Sequence, residues 1–375
     1  MKNSSVYINS YNCITPLGFD ASSNMQQIRM GNTAIKPVIK DFAPATPLYL
    51  GEISDDILYS QSKNLTEMES STRLPQLMIL CLEPVITKDS IGNRTGLIVS
   101  TTKGNIRALE NPEAAPEELE LAKLAKQVAG YFGIVTEPVV VSNACVSGIL
   151  SIAVAKRYIQ MGIFDEVYVV AGDEVSEFVI SGFNAFQAMD TKVCKPYDKE
   201  RNGINLGEAV AAVKLSEKPG SFKVIGDSAI NDANHISGPS RSGEGLYRSL
   251  VAAFKEAKLT AKDIAFISAH GTATAFNDEM EAIAFNRMGL QNVPVHSLKG
   301  YYGHTLGTSG LLETVIAMEA AKESKTVISM GFKTTGTTQP LNISEKEETI
   351  NSSYFLKTAS GFGGCNTAVI FEKVK

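Results

Sequence analysis

Cys145 is the residue of this sequence whose type and setting best fit covalent chemistry. It follows a strand-like run, 138–141, and precedes a segment, 148–155, that is apolar nearly all round. This pattern predicts a central, buried helix that begins at Cys145. The first turn of a helix has unpaired N–H groups and a positive dipole end, which favour a thiolate and can hold an oxyanion. A small structural cysteine is the alternative, and Cys145 alone favours it.

Two of the four histidines, His270 and His304, lie in glycine-flanked turns that directly follow strand-like runs. In open α/β sheets, the carboxyl ends of the strands are where loops bring reactive side chains together. Taken alone, each histidine is better interpreted as a satisfied turn residue. His235 and His296 have no comparable context, and we interpret both as structural.

A cysteine with two histidines is typical of nucleophilic acyl transfer, although a cysteine hydrolase uses the same residue types. Lys299, just before His304, weighs against hydrolysis, because a protease or thioesterase ordinarily uses one histidine and an Asn or Asp that orients it. Asp278 and Glu281 resemble a capping pair that starts the next helix and fixes the loop of His270. We interpret both acids as structural.

The composition is that of a globular protein with a mild excess of acidic residues. At 375 residues the chain exceeds the size at which one core usually keeps growing, so two packed halves are expected. The net charge is 35 − 40 = −5, and no basic stripe is interleaved with aromatics, which argues against nucleic acid as a partner. No apolar run is long enough for a bilayer span or a secretory signal, so we expect a cytoplasmic protein.

The cysteines and glycines give no sign of a metal or nucleotide site. The five cysteines are scattered singly, without C-x-x-C spacing or the pattern of a disulfide framework. No Gly-x-Gly-x-x-Gly or Walker-type loop follows a strand, and the glycine-dense segment 361–364 precedes one. The cysteines are Cys13, Cys81, Cys145, Cys194 and Cys365.

Strand-like and helical patterns alternate along the chain, which predicts the α/β class. Runs rich in β-branched residues indicate strands at 97–99, 138–141, 167–170, 264–267 and 293–295. Helical spacing, with Gly, Pro or Asn near the ends, indicates helices at 117–131, 148–160, 245–258, 279–287 and 311–322.

A faint internal duplication is visible. Segments 207–215 and 364–372 have the same layout, and each reads as the terminal strand of its half. A second pair of similar strand-loop-helix units covers 139–156, with the motif SGIL, and 295–321, with SGLL. Two related halves that meet near residue 216 are one explanation, and chance similarity is the other, at even odds.

Five segments, in order and with fitting spacing across nearly the whole chain, resemble the elongating class of β-ketoacyl-acyl-carrier-protein synthases. Any one segment is weak evidence, but the five together are highly specific. They are 142–148, 195–208, 270–281, 299–313 and 361–366.

The resemblance implies the thiolase fold, in which two pseudo-repeated βαβ-rich halves form a layered αβαβα core. The halves would be residues 1–215, with the cysteine, and 216–375, with both histidines. The implied reaction is the decarboxylative Claisen condensation of an acyl thioester with malonyl-acyl-carrier protein, in fatty acid, polyene or polyketide-type biosynthesis. The implied partners are an acyl carrier protein, whose phosphopantetheine carries the substrates in place of a cofactor, and a second subunit in a homodimer or heterodimer.

The resemblance also implies a role for each matching residue. Cys145 would take the acyl chain, and the backbone N–H groups of Cys145 and Phe362 would form the oxyanion hole. His270 and His304 would hold the malonyl carbonyl while carbon dioxide leaves. Because decarboxylation generates the carbanion equivalent, no second catalytic cysteine is required.

Supporting roles follow from the same resemblance. Lys299 and Glu313 match a pair that supports His304 and the local charge balance. Thr272 and Thr274 match positions that contact the pantetheine arm. Phe362 resembles the gating aromatic beside the nucleophile.

Three departures leave alternatives open. Cys365 occupies a slot that is usually a threonine, and the adjacent Asn366 could indicate a Cys-His-Asn initiating synthase, although the Lys299–His304 segment favours the elongating class. Segment 102–130 differs from the family's dimer-flanking loop, and 64–84 has few basic residues for a carrier protein. These differences favour a dedicated pathway. A non-catalytic or chain-length-determining partner subunit is the alternative function, but such subunits typically lose the nucleophile.

Overall fold

The computed structural model describes residues 4–62, 72–87, 91–233 and 238–374. Its strands are β1 (Val6–Ile14), β2 (Lys36–Lys40), β3 (Ala43–Gly51), β4 (Thr95–Ser100), β5 (Val139–Val141), β6 (Glu166–Asp173), β7 (Leu206–Gly207), β8 (Ala209–Ser216), β9 (Phe222–Asn231), β10 (Ile264–Ser268), β11 (Val295–His296), β12 (Tyr354–Ser360) and β13 (Cys365–Lys373). Its helices are α1 (Ala21–Arg29), α2 (Asp55–Ser62), α3 (Arg73–Leu82), α4 (Leu121–Phe132), α5 (Ser147–Gln160), α6 (Glu177–Ala185), α7 (Glu244–Ala257), α8 (Ala275–Arg287), α9 (Lys299–Tyr302) and α10 (Ser309–Glu323).

The predicted strands and helices are all present, with shifts at many of their boundaries, of which three bear on the argument. The strand predicted at 293–295 is β11, shifted to Val295–His296, because Pro294 has no N–H to donate to a neighbouring strand. The helix predicted at 117–131 is split into a 3-10 turn, Pro116–Leu119, and α4. Helix α8 begins four residues earlier than predicted.

The start of α8 corrects the predicted capping pair. The side chain of Thr274 accepts a hydrogen bond from the N–H of Asn277, so Thr274 is the N-cap. Asp278 and Glu281 lie inside the first turns of the helix and bind the loop before it instead. Their position is what allows them to reach the backbone of the preceding loop.

A large mixed sheet has the same strand pattern on either side of its middle. The order is β11-β10-β12-β13-β9-β1-β8-β6-β4-β5, and β9 pairs with β1 at the centre. Outward from the centre, each side has two antiparallel pairings followed by two parallel ones. This repetition agrees with two related halves, while the exact division at residue 216 stays a prediction.

Helices and strands stack in five layers, with three large hydrophobic clusters between them. A middle cluster joins α5 and α10 to strands of both sides of the sheet, for example through Val169 and Val369. Helices α3 and α4 cover the outer face of the first half, and α7 and α8 cover that of the second. Neighbouring residues alternate between layers, because Ala368 and Ile370 point to the outer cluster while Val369 points to the middle one. The predicted αβαβα layering is confirmed.

The two central helices touch through glycines of the repeated SGIL and SGLL motifs. A Cβ atom on Gly148 of α5 would come within 2.7 Å of the carbonyl oxygen of Gly307. A Cβ atom on Gly310 of α10 would come within 2.8 Å of the Cβ of Ile149. Only glycine permits this approach, which places the start of α5 beside the start of α10.

Candidate active site

Cys145 lies on a tight turn between β5 and α5. The helix begins at Ser147, two residues later than predicted, and Ala144 has a left-handed φ of 44°. The hydroxyl of Ser147 closes the turn, since it accepts from the N–H of Asn143 at 2.8 Å and donates to the carbonyl of Ala144 at 2.6 Å. A non-glycine residue with this φ is strained, so the turn is held by its surroundings in a conformation that presents Cys145.

Burial raises the pKa of the Cys145 thiol to about 11. The positive charges of Lys299 and Lys103 and the backbone N–H of Phe362 lower it, and Asp173 raises it further. Burial therefore opposes the thiolate that the start of a helix was expected to favour, and α5 begins two residues beyond Cys145. The N–H of Phe362 nonetheless lies beside the sulfur, where an oxyanion hole requires a donor.

His304 is held as a neutral imidazole with a defined tautomer. Its Nδ1 accepts a hydrogen bond from the N–H of Leu306 at 3.1 Å and lies 3.0 Å from the hydroxyl of Ser309. Nδ1 therefore carries no proton, and Nε2 must carry one. Burial, with help from nearby lysines, lowers the pKa of His304 well below its usual range. The ring can thus donate a hydrogen bond from Nε2.

Backbone hydrogen bonds to β7 and its neighbour fix the position of His304. Its N–H donates to the carbonyl of Asn205 at 2.6 Å, and its carbonyl accepts from the N–H of Gly207 at 3.1 Å. The closing segment of the first half therefore supports a residue that the second half contributes.

His270 follows β10 in a loop that two buried carboxylates organise. Glu281 accepts the N–H groups of His270 and Gly271 at 2.9 and 2.7 Å. Asp278 accepts the N–H of Thr272 at 2.9 Å, and burial raises the pKa of this acid to about 7. Gly271 has a φ of 44°, which a residue with a side chain rarely adopts. Both acids fix the loop of His270, as predicted.

Lys299 and Glu313 form a buried ion pair with 2.8 Å between Nζ and Oε1. The pair acts on both histidines, because Lys299 Nζ donates to the carbonyl of His270 at 2.6 Å and lies 3.4 Å from its Nδ1, while its positive charge helps to lower the pKa of His304. An ammonium group only donates, so Nδ1 of His270 accepts and Nε2 carries the proton. A second lysine, Lys357, binds the other oxygen of Glu313 at 2.6 Å and was not predicted.

One cavity of about 480 Å³ brings the predicted site residues together. The hydroxyls of Thr272 and Thr274 lie 2.8 Å apart on its wall. Lys299 and Glu313 are buried behind the wall. The predicted residues that line the cavity are Cys145, His270, Thr272, Thr274, His304 and Phe362.

Aromatic side chains that were not predicted form the mouth of the cavity. Phe183 stacks on Phe362 at 6.0 Å between ring centres and lies 6.4 Å from the ring of His304. Phe186 packs on the other side of Phe362 at 5.5 Å, and Phe276 is 75% exposed at the rim. A helical pattern in 177–186 was the available sequence signal. Aromatic rings therefore contribute much of the exposed part of the lining, together with the polar side chains of Gln187 and Asn202.

Asn366 lies where it supports a turn. Its Nδ2 donates to the carbonyl of Gly364 at 2.9 Å, and its Oδ1 accepts from the hydroxyl of Ser360 at 2.8 Å. The thiol of the adjacent Cys365 contacts Oδ1 of Asn143 at 2.7 Å. Asn366 does not line the cavity, whereas His304 does, so the geometry favours the elongating over the initiating arrangement.

The two remaining histidines and segment 64–84 were also covered by the predictions. Burial lowers the pKa of His296 to about 3, which fits a structural residue, whereas His235 lies outside the described residues. Part of segment 64–84 lies outside them as well.

Among the described residues, no group of three or more His, Cys, Asp or Glu side chains could hold a metal ion. In the same part of the chain, no helix is long and apolar enough to cross a membrane.

Comparisons with known proteins agree with this architecture. Residues 84–219 match the N-terminal domain of beta-ketoacyl synthases, and residues 222–333 match the C-terminal domain. The 3-oxoacyl-[acyl-carrier-protein] synthase 2 of Staphylococcus aureus is 25% identical over 418 residues, which cover 99% of both chains.

Two solved structures share the fold. The ketosynthase ApeO in complex with its chain length factor ApeC, from Xenorhabdus doucetiae, has a TM-score of 0.87 at 22% identity and covers 99% of this chain and 98% of that one. The ishigamide ketosynthase/chain length factor has a TM-score of 0.89 at 21% identity and covers 99% of this chain and 100% of that one. With both domains matched in order, this chain belongs to the beta-ketoacyl synthase family.

Proposed function

We propose that this chain is a 3-oxoacyl-acyl-carrier-protein synthase of the Cys-His-His type. The observation that carries the proposal is the convergence of Cys145, His270 and His304 on one cavity, with Nδ1 of each imidazole accepting a hydrogen bond. Two N–H donors and a nucleophile are what a decarboxylative condensation requires. The family and the 3-oxoacyl synthase relative support the same reaction.

The first step is acyl transfer. The sulfur of Cys145 attacks the carbonyl carbon of an acyl thioester, and the N–H groups of Cys145 and Phe362 stabilise the oxyanion. The bond to the pantetheine sulfur then breaks, and the proton of the Cys145 thiol leaves with the pantetheine thiol. Because the resting thiol has a pKa of about 11, this proton must move as the new bond forms.

Decarboxylation and condensation follow. The malonyl thioester oxygen accepts hydrogen bonds from Nε2 of His270 and His304 while the bond to the carboxylate carbon breaks. Carbon dioxide leaves, and its bonding electrons form an enolate that the two donors stabilise. The enolate carbon attacks the acyl carbonyl on Cys145, the sulfur departs and takes up one proton, and a 3-oxoacyl thioester is released.

The hydrolase alternative conflicts with the tautomer of His304. A histidine that activates water or a thiol must present an unprotonated nitrogen to the reactants. Nδ1 of His304 is occupied by the N–H of Leu306, so Nε2 carries the proton. This ring is arranged as a hydrogen-bond donor, which suits an enolate.

The proposed partner is an acyl carrier protein, whose phosphopantetheine arm would pass Thr272 and Thr274 on the cavity wall. A ketosynthase in complex with its acyl carrier protein is among the structures of similar fold. We also propose a second ketosynthase-like subunit, in a homodimer or heterodimer, because two similar structures pair a ketosynthase with a chain length factor.

Intact-protein mass spectrometry tests the proposal. The chain is incubated with acyl-carrier protein, with and without malonyl-carrier protein, beside the Cys145→Ala variant. We expect an acyl adduct on the unaltered protein alone, and a two-carbon-longer 3-oxoacyl carrier protein once malonyl-carrier protein is added. An adduct that yields only free acid would indicate a hydrolase, and no adduct would indicate a non-catalytic subunit.

A further inference from the structure

Lys357 is a fully buried lysine on β12 that the reaction described above does not use. Its Nζ lies 2.6 Å from Oε2 of Glu313. The same atom donates to the carbonyls of Thr358 at 2.6 Å, Ser268 at 3.1 Å and Ala269 at 3.3 Å. Burying an ammonium group is strongly unfavourable unless it is paired, and here four oxygens surround it.

Lys357 and Lys299 together clamp the end of β10 just before the site. Each ammonium group binds one oxygen of Glu313. Between them they donate hydrogen bonds to the carbonyls of three successive residues, 268–270. Lys357 therefore reaches His270 in two ways, through the strand end and through the shared carboxylate. Neither route touches the cavity, which Lys357 does not line.

Lys357 also acts on the site through its positive charge. Lys299 and Lys357 share the carboxylate of Glu313, and a second carboxylate, that of Glu281, also acts on Lys357. Lys357 and Lys299 both disfavour the protonated form of His304, as does Lys103. The other titratable groups that face this region are Cys145, Asp173, His270, Asp278, Glu281 and Glu313.

We propose that Lys357 is a positioning residue for the decarboxylation step. Through Glu313, Lys299 and the carbonyls of residues 268–270 it holds the loop of His270 in place, and its ammonium group contributes positive charge near His304. The inference rests on the proposed condensing function. Strand β12 would thus help to position His270, beside the Lys299–Glu313 pair.

The direction in which the pH dependence of malonyl decarboxylation should shift follows from the charges around His304. In the unaltered protein, His304 gains a proton only well below its usual pKa. Removal of one nearby positive charge raises the pKa of His304. The protonated ring, whose Nδ1 can no longer accept from the N–H of Leu306, then appears at a higher pH. The rate of malonyl decarboxylation should then fall off at a higher pH on the acid side.

The test compares Lys357→Met with a matched buried lysine. Lys156 is 3% exposed and pairs with Asp227 at 2.9 Å and Glu256 at 2.6 Å, none of which lines the cavity. We expect Lys357→Met to move the acid limb of carbon dioxide release from malonyl-carrier protein to a higher pH. Lys156→Met should leave the limb in place, and Lys357→Arg, which keeps the charge, should restore it toward that of the unaltered protein.

Histidine titration by NMR gives a readout that does not depend on activity. With ¹³C-labelled imidazoles, the His304 resonance should titrate at a higher pH in Lys357→Met than in the unaltered protein. If Lys357→Met does not fold, Lys357→Gln removes the charge while retaining donors for Thr358 and Glu313. Coincident pH profiles and titrations in the neutral variant and the Lys156→Met control would overturn the inference. An unaltered protein that releases no carbon dioxide would overturn the proposed function instead, and the NMR comparison would still decide the role of Lys357.

Discussion

The imidazole rings of His270 and His304 meet edge to face, with centres 5.3 Å apart and planes at 84°. Nδ1 of His304 accepts from the N–H of Leu306, and Nδ1 of His270 lies against the ammonium group of Lys299. Both Nδ1 atoms therefore face a donor, which places the ring proton of each neutral imidazole on Nε2. A pair of donors on one cavity is the relationship from which the chemical predictions follow.

Replacement of His304 should separate the two half-reactions. His304→Ala removes one of two hydrogen bonds to the developing enolate, so we expect decarboxylation to fall by about 10²-fold or more. Acylation of Cys145 should persist in part, because the oxyanion donors are backbone groups. Acyl loading by mass spectrometry and carbon dioxide release measure the two steps, and an equal loss of both would contradict the assignment.

The Cys145 thiol should react slowly at neutral pH. Burial raises its pKa to about 11, so the rate of alkylation by iodoacetamide should keep rising well above pH 9. The Cys145→Ala variant supplies the background of the other four cysteines. A rate that levels off near pH 8, the range of an ordinary exposed thiol, would refute the predicted resting state.

Two oppositely charged neighbours should move that thiol pKa in opposite directions. Asp173 raises the pKa of Cys145, so Asp173→Asn should lower it, with Thr101 and Thr102 still able to donate to the amide oxygen. Lys103 lowers the same pKa, so Lys103→Met should raise it. The alkylation profile measures both shifts. Movement of the two variants in the same direction would show that packing, and not charge, controls the thiol.

Gly207 should tolerate no side chain. A Cβ atom there would fall far inside van der Waals contact with the carbonyl oxygen of Tyr302, next to the backbone that holds His304. We expect Gly207→Ala to lower the free energy of unfolding by about 3 kcal/mol. Gly130, on the exposed face of α4 with no atom within 4 Å of a new Cβ, is the control. Gly130→Ala should be neutral or stabilise by about 0.5–1 kcal/mol, and equal effects at both sites would refute the packing argument.

Much of the site could be predicted from the sequence because its residues stand at strand ends. Cys145, His270 and His304 each follow a strand-like run, and strands that share a sheet bring such positions to one edge. The αβαβα layering was predictable from the resemblance, and the SGIL and SGLL motifs pointed to the two helices that meet at the centre. These signals are local patterns of residue type.

What the sequence could not reveal depends on burial and on contacts between distant segments. Burial is the largest influence on the pKa of Cys145, and no local pattern measures burial. Lys357 is one lysine in a strand, YFLKTAS, and nothing local indicates that Glu313, 44 positions earlier, neutralises it. The contact of Lys299 with His270, beside its effect on His304, was missed for the same reason. Such pairings exist only after the halves have packed.

The most direct test of the account is the stoichiometry of carbon dioxide and product. The acylated protein is mixed with malonyl-carrier protein labelled with ¹³C at the methylene carbon, and carbon dioxide release is measured beside the mass of the carrier-bound product. We predict one labelled 3-oxoacyl product per carbon dioxide released, with the acyl group lost from Cys145 in the same proportion. Release of carbon dioxide without a new carbon–carbon bond, or loss of the acyl group as free acid, would contradict it.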